Sequence, residues 1–216
     1  MVNLRSAAFL SLAVLTPVFV HAAEPKVLAD EGNIVFINRE GQTQRLTSSA
    51  HDSEPVLSPD GKWVVFVRAV PGKKIATGGG EEEATELWQI RADGKEPTLL
   101  VRAHESEKME SVIGGFENLQ FSSDGRLVFF VTPAWATSGA VHVVDTTNAK
   151  EHFVVAGNNL EIVPSGEYRD HLLLQQHRYF LGGGSYDWFF LFKPDGKEVG
   201  VVGEDTSNFK ELYSDK

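Results

Sequence analysis

Between residues 51 and 70 a short run, 54–58, ends at Ser58-Pro59-Asp60-Gly61, and an unbroken apolar stretch, Trp63-Val64-Val65-Phe66-Val67, follows. Proline presets φ for the first corner of a turn and glycine accepts the positive φ of a tight reversal, so the chain doubles back here. The β-branched and aromatic run that leaves the turn suits a strand covered on both faces. A β-hairpin is predicted. The same order recurs at 116–132, with Ser123-Asp124-Gly125 as the turn. Behind each hairpin comes a second one, 86–101 turning at Asp93-Gly94 and 140–155 turning at Thr147-Asn148. Two hairpins in succession make a four-stranded antiparallel sheet that cannot bury both faces alone. Repeated at about 40 to 50 residues, such sheets are the signature of a β-propeller.

A third, degenerate copy covers 159–202, with strands at 171–176 and 186–192 and a last turn at Lys193-Pro194-Asp195-Gly196. Its first turn replaces the Ser-Pro-Asp-Gly pattern with Pro164-Ser165-Gly166-Glu167. At the N-terminal end, strands at 26–29, 33–38 and 44–47 read as the second half of a repeat whose first strand is missing, and 209–215 reads as an opening strand. The expected fold is therefore all-β: a small propeller of four-stranded antiparallel blades, at 54–101, 117–155, 159–202 and 209–215 with 26–47. Pairing of the terminal strands would close the ring at four blades and remove its exposed edges. The competing architecture is an open array of three-plus blades, or one completed by a second copy in a homodimer.

Two stretches also carry a family likeness. The Glu-Pro-x-x-Ser-Pro-Asp-Gly-Lys-x-x-x-Phe pattern at 54–66, with x-Ala-Asp-Gly-Lys-x-x-x-Leu at 91–99, resembles the TolB-type propeller repeat of periplasmic proteins. The copy at 117–132 matches in part, with Ser123 in place of the proline. The resemblance implies the propeller architecture, an envelope location and envelope proteins as partners. It marks fold more specifically than function.

Residues 1–23 carry Arg5, an apolar run at 7–20 and the small-residue site Val20-His21-Ala22, the pattern of a cleaved signal peptide rather than a membrane anchor. The remaining residues, 24–216, are enough for one domain with a sizeable core. With no cysteine there is no lipid-attachment site, disulfide framework or thiolate metal site, and the bacterial periplasm is the expected compartment. The net charge of −10 becomes −11 when Arg5 is removed, which disfavours nucleic acid and anionic membrane surfaces.

Chemistry is expected where the repeats differ. The a–b and c–d turns are short, whereas the connections on the other face are long and varied: 48–53, 69–85, 102–115, 133–139, 178–184 and 203–208. That face is the expected binding face. His51, Asp52 and Glu54 stand at the entrance of the first blade, as a polar funnel for a partner or, for Glu54, as a structural partner of a neighbouring blade. His177, Arg178, Tyr179 and Phe180, followed by Ser185, Tyr186, Asp187 and Trp188, form the densest mixture of aromatic and ionisable groups in the chain, the composition of interface hot spots. Arg178, Tyr179, Tyr186, Asp187 and Trp188 are the leading candidates, although some of these rings must pack between blades. Glu81, Glu82, Glu83 and Glu86 read as a solvated acidic loop, since the alternating ligand spacing of a calcium loop is absent. Gly183-Gly184-Ser185-Tyr186-Asp187 lacks the second glycine of a nucleophile elbow, and His104-Glu105 lacks the second histidine of a zinc helix. No catalytic residue, metal or cofactor is assigned. The expected function is a protein-binding scaffold of the cell envelope. The alternative is a small-ligand receptor or hydrolase-like enzyme whose pocket at the channel mouth gathers His51, Asp52, His177 and Asp187.

Overall fold

The computed structural model describes residues 23–213, residue 79 excepted. The expected signal peptide therefore lies almost wholly outside the described residues.

Three short strands, β1 (Lys26–Asp30), β2 (Asn33–Ile37) and β3 (Thr43–Arg45), form an antiparallel N-terminal sheet. Three four-stranded antiparallel sheets follow. Blade one contains β4 (Asp52–Leu57), β5 (Trp63–Thr77), β6 (Gly80–Arg91) and β7 (Thr98–Arg102). Blade two contains β8 (Glu117–Phe121), β9 (Leu127–Trp135), β10 (Ser138–Asp145) and β11 (Lys150–Ala156). Blade three contains β12 (Asn158–Ile162), β13 (Leu172–Tyr179), β14 (Ser185–Phe192) and β15 (Glu198–Gly203). Within each sheet the strands lie in chain order, and β1, β4, β8 and β12 neighbour one another from sheet to sheet.

The predicted turns form as written. Ser58 Oγ donates to Asp60 Oδ1 at 2.7 Å and accepts the Trp63 N–H at 3.0 Å, so one hydroxyl pins both the turn and the strand that leaves it. Blade two repeats the device with Ser122, Asp124 and Leu127 at 2.6 and 2.9 Å. The proline of the pattern takes no part in these bonds, which is why the second copy folds alike without it.

The cores lie between sheets. Ile34 and Leu46 pack on Val64, Phe66 and Ile90; Val65, Val67 and Leu87 meet Leu119, Val128 and Phe130; Phe129, Val131 and Val141 meet Leu172, Leu174 and Phe190. Neighbouring positions of one strand thus face opposite neighbours, and the continuous apolar runs of the sequence bury both faces of each central strand.

Two expectations are corrected. Residues 209–215 do not supply a closing strand: the chain forms helix α1 (Ser207–Tyr213), with 214 and 215 outside the described residues. Phe209 lies on Val163, Leu173 and Leu191, on the side of blade three facing away from blade two. Its apolar positions Phe209, Leu212 and Tyr213 are spaced three and four apart, the helical period. Nor is 69–85 a loop. β5 and β6 continue through it as a long hairpin, with a bulge between Ala69 and Lys74 that absorbs Pro71 and Gly72. Ile75 and Ala84 are buried there with Ala103 and Val112, so the expected loop 102–115, which includes a 3-10 helix at Met109–Ser111, serves as its packing partner.

Candidate functional site

The innermost strands β4, β8 and β12 share an irregularity. Each has a bulge against its partner, and within it Glu54, Asn118 and Asn159 hold φ values of 49°, 53° and 50°. Asparagine visits this left-handed region more readily than other side chains do, because its short amide finds local hydrogen bonds. Glutamate in the same place is a costlier choice. Asn118 spends its amide on the Leu160 carbonyl at 2.6 Å, and Asn159 donates to Gln175 at 2.8 Å. Burial and the nearby Glu117 carboxylate raise the Glu54 carboxyl above its ordinary value.

Beside Glu54, the expected polar funnel divides. Asp52 is buried at the start of β4, and its two oxygens take the Arg68 guanidinium at 2.6 and 2.9 Å. Arg68 in turn lies over the rings of Trp88 and Phe66, 4.8 and 5.4 Å from their centroids. Burial pushes the Asp52 carboxyl up, but hydrogen bonds from Arg68, Thr47 and Ser49, with the Arg68 charge, outweigh it and hold the group below its ordinary value. His51 is exposed and joins the sheet through its backbone, accepting the Ala69 N–H at 2.9 Å.

The other candidates lie on one hairpin, β13–β14, and divide between its two faces. His177 pairs with Asp187 and Tyr179 with Ser185, while Arg178 pairs with Tyr186 and Gln176 with Trp188. On the first face His177 Nδ1 and Asp187 Oδ1 lie 2.9 Å apart, and Tyr179 stands edge-on to the imidazole at 5.0 Å. On the second, Arg178 crosses the sheet to Glu198 at 2.5 Å, with its guanidinium 3.6 Å above the Phe190 ring. Tyr186 and Trp188 pack against the core between blades two and three, as expected for part of this cluster.

Phe180 and Leu181, which are not among the leading candidates, decide with Tyr179 how this hairpin looks from solvent. Phe180 leaves the strand, stacks on Tyr186 at 4.5 Å and touches Trp188 edge-on at 6.4 Å. Leu181 next to it is fully exposed, and Tyr179 is 74% exposed. The reversal Gly182-Gly183-Gly184, with φ of 94° and 86° at its last two residues, makes so tight a tip possible. Three consecutive large apolar residues at a strand end next to glycines are the sequence signal for this tip. Tyr179 and Phe180 belong to the expected cluster, Tyr179 as a leading candidate; Leu181 does not.

No hydrogen bond or ion pair among the described residues joins the His51–Asp52 region to the His177–Asp187 pair, and Ser185 has none to His177. The acidic run also has structural partners: Glu81 faces Lys74 at 3.4 Å and Glu86 holds Arg102 at 2.8 Å. Among the described residues no group of three histidine or acidic side chains is arranged to hold a metal ion.

Neither a family model nor a curated protein matches the sequence. Solved structures do resemble the fold. The β-propeller domain of the trilobed protease from Pyrococcus furiosus, described as having an open velcro topology, superposes with a TM-score of 0.52 at 19% identity, over 78% of this chain and 47% of that one. The chain has a β-propeller fold. Dipeptidyl peptidase 4 of Porphyromonas gingivalis gives 0.58 at 10% identity, over 83% of this propeller and 31% of the peptidase chain. Oligogalacturonate lyase of Vibrio parahaemolyticus gives 0.54 at 12%, over 79% and 42%. The propeller thus spans less than half the length of each of these proteins.

Proposed function

We propose that this propeller is a protein-binding scaffold of the bacterial cell envelope, exported to the periplasm, which grips its partner through the β13–β14 hairpin on the long-connection face. The observation that carries the reading is the tip itself: Tyr179, Phe180 and Leu181 stand 74%, 51% and fully exposed on a hairpin braced by Tyr186 and Trp188. Large aromatic and apolar side chains held out at a braced hairpin tip bury much area on binding. The leader-like segment 1–23 and the TolB-type repeat support the location.

The competing reading, a hydrolase-like enzyme or receptor with a pocket at the channel mouth, draws on the peptidase and lyase neighbours. It requires Asp52 and His51 to act with His177 and Asp187. Asp52 is instead spent on Arg68.

Affinity capture from envelope extract separates the readings, using the mature protein beside a variant carrying Tyr179→Ser, Phe180→Ser and Leu181→Ser. All three side chains are outside the core, so the variant should melt with the parent. The expected result is a protein retained by the parent and lost from the variant. Equal capture by both, or none by the parent, removes the hairpin as the binding element.

A further inference from the structure

Blade three lacks the self-contained serine–aspartate turn, and what stands in its place reaches outward. The connection 163–171 packs Tyr168 on Phe209 and Tyr213 of α1. It also sends Asp170, at φ 64°, across to blade two, where its two oxygens accept the backbone N–H and the hydroxyl of Ser123, each at 2.6 Å. Arg169, between these two anchors, has one charged neighbour among the described residues: Asp170, at 4.0 Å, with both oxygens already engaged.

Arg169 stands at the rim of a cavity of about 470 Å³. The cavity lies where the three inner strands end, and Val56, Leu119, Phe121 and Ile162 line it. Toward the opposite end of these same strands stand Glu54, Asn118 and Asn159. The inner strands thus carry polar residues toward the long-connection face and apolar ones toward the short-turn face, where the cavity also holds a cation whose hydrogen-bonding capacity is largely unused.

We propose that this cavity binds a small monocarboxylate with an apolar body. The body lies against Val56, Leu119, Phe121 and Ile162, and the carboxylate takes the Arg169 guanidinium, whose planar fork matches two oxygens. The Asp170 carboxylate beside it already balances the guanidinium charge, so the ligand carboxylate is held by the unused N–H donors rather than by net charge, and a doubly charged headgroup is disfavoured. The size, and apolar walls with a few polar groups (Gln120, Ser123, Asp170 and Arg169), are those of a small-molecule site. It is independent of the β13–β14 tip, on the other face.

The test uses octanoate, octanol and octylamine as probes, with isothermal titration calorimetry on the mature protein. Octanoate is expected to bind about tenfold more tightly than octanol, with octylamine weakest. Arg169 is exposed enough for Arg169→Gln to keep the parent's melting temperature, and this variant should bring octanoate to the octanol value, with Arg169→Lys recovering part of the difference. Equal binding of octanoate and octanol by the parent, no octanoate binding up to its solubility, or an unchanged octanoate Kd in Arg169→Gln overturns the proposal. The Tyr179→Ser, Phe180→Ser, Leu181→Ser variant should bind octanoate as the parent does. A loss there would place the probe on the hairpin tip and overturn the cavity assignment while leaving the tip available to a partner.

Discussion

Asp52 has no exposed side-chain surface, and both of its oxygens rest on one guanidinium, so its protonation is tied to folding. Its pKa is lowered in the folded protein, and a group lowered on folding stabilises the native state above its unfolded value near 3.8. That contribution is lost as pH falls through the lower, folded value. Urea unfolding should therefore show stability falling below about pH 4, with a shallower fall in Asp52→Asn. At pH 7 the same variant should be less stable by about 3 kcal/mol, because Arg68 is left without its counter-charge between two rings. Equal stability at pH 7 would free Asp52 for a role in binding. Sequence placed Asp52 correctly at the strand entrance but could not supply Arg68, sixteen residues on, as its partner. Cross-strand pairing depends on register, and the bulge between Ser53 and Val56 shifts that register in a way no short motif encodes.

At the scale of elements, hairpins with a written turn were legible and those without one were not. Ser-Pro-Asp-Gly, Ser-Ser-Asp-Gly and Lys-Pro-Asp-Gly each mark a reversal that forms. The β5–β6 extension has only Ile75 and Ala84 turned inward amid lysines, glutamates and glycines, so its period-2 signal is too thin to separate from a loop. Its tip is nevertheless seated. A Cβ on Gly78 would stand 1.7 Å from the Ala134 carbonyl oxygen of blade two, closer than any side chain can approach. Gly78→Ala should lift the tip from blade two at a cost of about 1 to 3 kcal/mol. Hydrogen exchange read at Lys74 to Ala84 should then speed up while β8 to β11 keep their protection. Unchanged exchange would mean that the tip does not rest on blade two in solution.

For the whole molecule the question is how the two ends of the row of blades are finished. The repeats made the number of sheets readable, but closure depended on one terminal segment whose apolar spacing also fits a strand opening. Tertiary contact decided it: a helix brings Phe209 onto Leu173 and Leu191 and Tyr213 onto Tyr168, which an extended chain with alternating sides would not do. The helix thereby covers the apolar face that a further sheet would occupy. At the other end, Lys26, Asp30 and Arg45 crowd the outward side of the N-terminal sheet around Leu28 and Val35, with Arg45 and Asp30 3.8 Å apart. Charges on an edge strand discourage further pairing. Covered at one end and charged at the other, the protein should sediment as a monomer across a wide concentration range. Phe209→Ala should expose the outer face of blade three, lower the melting temperature and give concentration-dependent association, since an uncovered apolar sheet face recruits a partner. If the parent itself sediments as a dimer and Phe209→Ala abolishes it, the helix is the interface rather than the cap, and two copies complete each other's row of blades.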